Sequence, residues 1–167
     1  MPRADAAEGA NAMSTTPVFP QPVVVQVAVI VRDIEASARR YCALFGLPVP
    51  DILLTPGYAT ARTTFHGQPS EATAKLAFLN FGQVQIELIE PDDQPSVWRA
   101  FLDEKGEGVQ HIALQVQNTQ HTTDALAAQG IPVVQQGLYA DGNGIYTYVG
   151  SEGALGVMLE LLETFPR

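Results

Sequence analysis

VQVAVIV (25–31) and QHIALQV (110–116) decide the fold, because one kind of strand occurs twice, 85 positions apart. At that same offset each is followed by a residue suited to cap a helix N-terminus, Asp33 and then Asn118. Each helical stretch ends at a glycine and a proline, Gly-Leu-Pro-Val (46–49) and Gly-Ile-Pro-Val (130–133). The glycine suits a left-handed C-cap and the proline forbids continuation. Each copy closes on an acidic strand, VQIELIE (84–90) and VMLELLE (157–163), with Glu87 over Glu160. Four matched stations in one order point to a duplicated chain.

β-Branched and aromatic segments at 59–66 and 74–81, and again at 133–139 and 144–150, supply further expected strands. The chain is thus expected to be α+β, with two βαβββ modules over 22–91 and 108–163, a connector over 92–107, and one domain spanning 22–163. One module alone would expose an apolar sheet face. Two together can curl their mixed sheets into a shared cup with the helices outside. Residues 1–21 are rich in Ala, Pro and Ser/Thr without periodicity, and are expected to be a disordered leader.

Composition narrows the function. Hydrophobic residues make up 46% and charged residues 16% of 167, enough for a packed core. A net charge of −9 repels phosphate backbones and anionic lipid, so neither nucleic acid nor a membrane is an expected partner. Cys42 is the single cysteine, which excludes a disulfide framework and a cysteine zinc site and agrees with a cytoplasmic location.

Strand alternation sorts the side chains into two faces. Val25, Val27, Val29 and Val31 suit packing under a helix, as do Ile112, Leu114 and Val116. The opposite face carries Gln26, Ala28 and Ile30 in one copy and His111, Ala113 and Gln115 in the other. On the closing strands the same face carries Glu87 and Glu160. Taken singly, Glu87 suits the wet side of an amphipathic strand, and His111 suits a hydrogen-bonded structural histidine. Their shared register instead gathers Gln26, Glu87, His111 and Glu160 in symmetry-related pairs. An amide, an imidazole and two acids suit one divalent ion such as Zn, Ni, Co, Mn or Mg. Buried acids otherwise cost several kcal/mol each (an order of magnitude) unless paired.

These motifs resemble the vicinal oxygen chelate superfamily of glyoxalase I, methylmalonyl-CoA epimerase, extradiol dioxygenases and bleomycin-resistance proteins. The resemblance covers about residues 22–163. It is nearest to the epimerase branch through VAVIVRDIEAS (27–37), AKLAFLNFGQVQIELIEP (74–91) and FLDEKGEGVQHIALQV (101–116). It implies a metal held at Gln26, Glu87, His111 and Glu160, and a small carbonyl or acyl-thioester substrate. The implied activity is a metal-dependent isomerase or lyase that moves a proton beside the carbonyl. Glu160 matches the family's catalytic carboxylate, with Glu87 the second candidate. Gln26 stands where the epimerases have histidine, and the resulting Gln/Glu/His/Glu set is similar to that of glyoxalase I. A glyoxalase-like lyase is therefore the alternative, and a non-catalytic binding or resistance protein the alternative of another class. The epimerase's second base lies on a strand that here reads ARTTFHGQPSEA (61–72), with His66 and Glu71 nearby. His66, Tyr146 and Tyr148 are candidate substrate contacts, and Tyr58 and Tyr139 candidate entrance residues. Family analogy also implies a homodimer.

Overall fold

The computed structural model describes residues 17–166. The first module opens with β1 (Val24–Ile30) and α1 (Ile34–Phe45). Asp33 accepts a hydrogen bond from the Ala36 N–H at 2.8 Å, and Gly46 ends the helix in the left-handed conformation, φ 68°. The chain continues through β2 (Leu53–Leu54), a turn of helix α2 (Tyr58–Ala61), the hairpin β3 (Thr64–Phe65) and β4 (Gln68–Pro69), then β5 (Ala74–Asn80) and β6 (Gln85–Pro91). The connector is α3 (Val97–Lys105). The second module comprises β7 (Gly108–Gln115), α4 (Thr119–Ala127), β8 (Val133–Leu138), β9 (Gly144–Val149), a turn of helix α5 (Glu152–Leu155) and β10 (Met158–Thr164). None of these helices is long and apolar enough to cross a membrane.

All ten strands form one sheet in the order β2-β5-β6-β1-β7-β10-β9-β8-β3-β4. Each module pairs its first strand parallel to its last, β1 with β6 and β7 with β10. The modules join where β1 runs antiparallel to β7. The sheet curls, and α1 and α4 cover its outer face. Ile34, Ala38 and Cys42 of α1 pack on Ala77, Leu79 and Leu88, while Leu126 of α4 packs on Leu114, Leu159 and Leu161. A fully buried Ile or Leu contributes roughly 1.5–3 kcal/mol. The connector helix does the opposite and enters the concave side, where Val97, Trp98 and Leu102 pack on Ala28, Ile30 and Ile89. It fills one end of the cup and leaves the other open.

The duplication reaches further than the caps read from sequence. Glu90 accepts from the Ile34 N–H and Glu163 from the Thr119 N–H, both at 2.8 Å. The last acid of each closing strand thus caps the helix of its own module from the outer face, and its negative charge suits that end of the helix dipole.

Two expectations are corrected. Residues 59–66 do not form a strand of the first module. Its second strand is the shorter β2, while 58–61 coil into α2 and β3 crosses to pair with β8 of the second module. The β-branched run at 62–65 was a true strand signal, but its partner is remote in sequence. The packed chain also begins before residue 22, because Val18 and Phe19 rest on the outer core of module two. The remainder of the expected leader, residues 1–16, lies outside the described residues.

Candidate metal centre and its cavity

The floor of the cup is built from two cross-strand rows. In one, Ala28 pairs with Glu87 on one side and His111 on the other; in the other, Ala113 pairs with Gln26 and Glu160. The pseudo-two-fold axis exchanges the rows. A methyl group at the centre of each leaves open space between larger polar neighbours, which explains why alanines sit here in otherwise bulky strands.

His111 Nε2 lies 3.1 Å from Glu160 Oε2 and 3.7 Å from Glu87 Oε2. All three residues are buried, with His111 at 0%, Glu160 at 4% and Glu87 at 6% exposure. Those three atoms have no hydrogen-bond partner, and the group's candidate ligand atoms lie within 4.8 Å of one another. Orphaned buried polar atoms cost free energy, and three converging on one spot call for a shared occupant. A divalent cation fits: two carboxylates balance its charge and the imidazole supplies a nitrogen. Gln26 lines the same cavity, and its amide N–H donates to Gln85 Oε1 at 2.7 Å.

A second layer orients the imidazole. Gln110 donates from Nε2 to the Val97 carbonyl at 2.9 Å, so its Oε1 accepts from His111 Nδ1 at 2.8 Å. With the proton on Nδ1, the ring presents the Nε2 lone pair to the carboxylates. Adjacent strand residues normally face opposite ways. Here Ala28 opposes His111 while Val29 opposes Val109, which makes Gln110 the extra residue of a β-bulge and turns it toward the same side.

Without a cation the centre is electrostatically tense. Burial disfavours the imidazolium, yet Glu160 and Glu87 outweigh it and raise the His111 pKa to about 9. Burial likewise raises the pKa of Glu87, against the opposing pull of His111. Burial pushes the phenols of Tyr139 and Tyr146 up to about 12 and that of Tyr148 well above its ordinary value. All three therefore remain neutral hydrogen-bonding groups at physiological pH.

Above the floor lies a cavity of about 270 Å³ that includes Gln26, Glu87 and Glu160 among walls of Phe78, Trp98 and Tyr148. Trp98 donates from Nε1 to the Tyr148 hydroxyl at 3.0 Å. Thr55, Leu76, Phe78, Tyr139 and Tyr146 also line a wider outer cavity of about 450 Å³, which adds Leu53, Leu54 and Leu138. Two glycines seat the tyrosines. A Cβ at Gly137 would overlap the Tyr146 ring, and one at Gly144 would overlap the Tyr139 ring. Thr63 shares a 2.9 Å hydrogen bond with the Tyr146 hydroxyl and ties the first module's crossing segment to the wall of the second.

The structure brings Gln26, Glu87, His111, Glu160, Tyr146 and Tyr148 together. His66 is a correction, because it is exposed at the tip of the β3–β4 hairpin with φ 48° and lines neither cavity. The left-handed turn it shares with Gly67 directs it outward. Glu71 is exposed too, and accepts from the Tyr58 N–H at 3.3 Å. Tyr58 also lies outside both linings, with the Arg62 guanidinium 5.6 Å from its ring centre. On the β2 side the cavity meets Thr55, whose hydroxyl accepts from the Ala74 N–H. The sequence alone did not single out Thr55, Phe78, Trp98 or Gln110 as site residues. Phase with Leu76 could have found Phe78; the bulge that turns Gln110 leaves no sequence signal.

A family model for the Glyoxalase/Bleomycin resistance protein/Dioxygenase superfamily matches residues 25–149. An uncharacterized protein, YqjC of Bacillus subtilis (strain 168), is 31% identical over 94 residues, 56% of this chain and 67% of that protein. A hypothetical protein of Bacillus halodurans C-125, BH1468, superposes with TM-score 0.63 at 21% identity, covering 88% of this chain and 97% of that one. Methylmalonyl-CoA epimerase from Mycobacterium tuberculosis superposes with TM-score 0.61 at 22% identity, covering 86% and 89%. At these identities the two superpositions speak for the fold.

Proposed function

Because this chain belongs to the Glyoxalase/Bleomycin resistance protein/Dioxygenase superfamily, we propose that it is a metal-dependent isomerase or lyase acting on the carbon beside a carbonyl or thioester. The observation that carries this reading is the convergence of three orphaned atoms, on Glu87, His111 and Glu160, at the foot of an open cavity. These residues with Gln26 would hold the ion. When bound, such an ion polarises a substrate carbonyl and lowers the cost of the enolate formed beside it.

The chain's own groups divide the remaining work. Glu160 is the base: its buried carboxylate belongs to both the ligand set and the cavity wall, so it can take a proton from the carbon and return it. His111, fixed by Gln110, would supply the nitrogen ligand beside Glu160. Phe78, Trp98 and Tyr148 flank the reacting group and exclude water, which strengthens every charge interaction beneath them. A homodimer remains part of the proposal by family analogy.

A glyoxalase-like lyase is the second reading, favoured by the acids themselves. Glu87 and Glu160 are the carboxylates lining the inner cavity, they are pseudo-symmetric, and the segment after β2 offers Thr55 in place of a further base. A proton moved between adjacent carbons needs only these two. The test is metal uptake followed by solvent deuterium exchange. Purified protein incubated with Zn, Ni, Co or Mn should retain about one ion per chain and exchange the proton beside the carbonyl or thioester of its substrate, with an acyl thioester and a glutathione hemithioacetal as the diagnostic probes. Exchange with the thioester alone selects the epimerase-like reading, and turnover of methylglyoxal with glutathione selects the lyase. Protein that takes up none of the four metals is a binder.

A further inference from the structure

Within that reading, which supplies the carbonyl, we infer that the substrate is an uncharged, apolar carbonyl compound, an aryl or branched-alkyl ketone or aldehyde without a phosphate or remote carboxylate. The two connected cavities carry the argument. Their walls are aromatic and aliphatic from the floor outward: Phe78, Trp98 and Tyr148 inside, Leu54, Leu76 and Leu138 outside. Among the described residues no lysine or arginine lines either one.

Several basic side chains are engaged elsewhere, and Arg32 and Arg40 line neither cavity. Lys75 pairs with Glu90 at 2.7 Å, Arg99 is held by Asp93 and Asp103, Arg39 faces Glu35, and Arg62 lies over the Tyr58 ring. The one charged residue in the outer lining is Asp141, which repels an anionic tail. At the floor, two carboxylates cancel the charge of a divalent ion, so the centre offers no net attraction for a remote anion. An anion entering the inner cavity would lose hydration and meet no cationic partner among the described residues. A neutral apolar ligand gains by burial against the same walls. The two cavities share Thr55, Leu76, Phe78, Tyr139 and Tyr146, which suits a carbonyl at the floor with its apolar body reaching toward Leu54 and Leu138.

Trp98 is the chain's one tryptophan and lines the inner cavity, so its fluorescence reports occupancy directly. The probes are 1-phenyl-1,2-propanedione, its analogue with a para-carboxylate, and propionyl-CoA, titrated into full-length protein with and without Zn. The diketones share a chelating end and differ only in charge at the far end. The expected result is that the neutral diketone binds at least tenfold more tightly than its carboxylate, and more tightly than propionyl-CoA. Equal or tighter binding of either anionic probe, or no quenching by the neutral one, overturns the inference. Zn uptake, followed separately by calorimetry with the metal alone, keeps the two readings apart. Loss of Zn binding with the neutral preference intact sinks the metal centre and spares the substrate class, and the reverse pattern does the opposite. Leu54 is 68% exposed, so Leu54→Arg should fold normally and place a cation at the outer wall. It should narrow the gap between the two diketones several-fold, and an unchanged gap would show that the outer cavity does not hold the far end of the ligand.

Discussion

The two modules are built alike and equipped differently. Both place an alanine at the centre of the floor, an acid beside it, an Asx cap on the following helix and a second acid capping that helix from outside. At the position where module two has His111, module one has Gln26, and where module two turns Gln110 inward at a bulge, module one has Val25 at an irregularity of its own. His111 is fully buried and braced, whereas Gln26 is half-buried and bonded to Gln85. Duplication therefore accounts for the scaffold and the pair of acids, while later divergence decides which acid stands closer to the imidazole.

The largest expected effect tests that asymmetry. Glu160→Gln should reduce solvent-deuterium exchange by about 10²–10⁴-fold, the usual cost of losing a positioned base. Glu87→Gln should lower metal retention more than it lowers exchange at saturating metal. If the two variants behave identically, the modules are functionally equivalent and Glu160 has no special role. Metal affinity gives the next contrast. His111→Ala should weaken Zn binding measured by calorimetry more than Gln26→Ala does. Gln110→Ala, which removes only the brace, should cost about 10–100-fold.

Acidity then separates the metal-free and metal-loaded forms. In metal-free protein the His111 pKa is raised from 6.5 to about 9, so its contribution to stability is complete below 6.5 and lost as pH climbs toward 9. Glu87, also raised, acts in the same direction from the acid side. Urea midpoints of the metal-free protein should fall between pH 6 and pH 9.5, and His111→Gln should flatten that slope. With Zn bound the ring is a neutral ligand for which protons compete, so midpoints should rise over the lower part of that range. The smallest effects are at the caps. Asp33→Ala and Asn118→Ala should each cost about 1 kcal/mol by urea denaturation. A cost confined to one module would show that the repeat is architectural only.

Most of this architecture could be read from residues 25–31 and 110–116 outward, because strands, caps and closing acids are local patterns that the duplication states twice. The four floor residues followed from alternation, which holds wherever a strand is regular. Pairing between distant segments was not legible. The run at 62–65 reads as a strand, but no local rule shows that β3 would leave its module for β8. Alternation also fails at a bulge, so Gln110 was hidden. Trp98 lies in the connector 92–107, and only the packing of α3 reveals that this helix enters the concave side and brings the indole to the cavity.

The chain passes from β2 at one border of the sheet to β3 near the other through residues 55–63. Both outermost strands are only two residues long, and one of them ends in Pro69, which has no amide hydrogen to offer. An incoming strand would therefore find only a two-residue template in either outermost strand itself. Among the described residues, a main-chain edge is left for an added strand where β5 runs past Leu76, beyond the reach of β2.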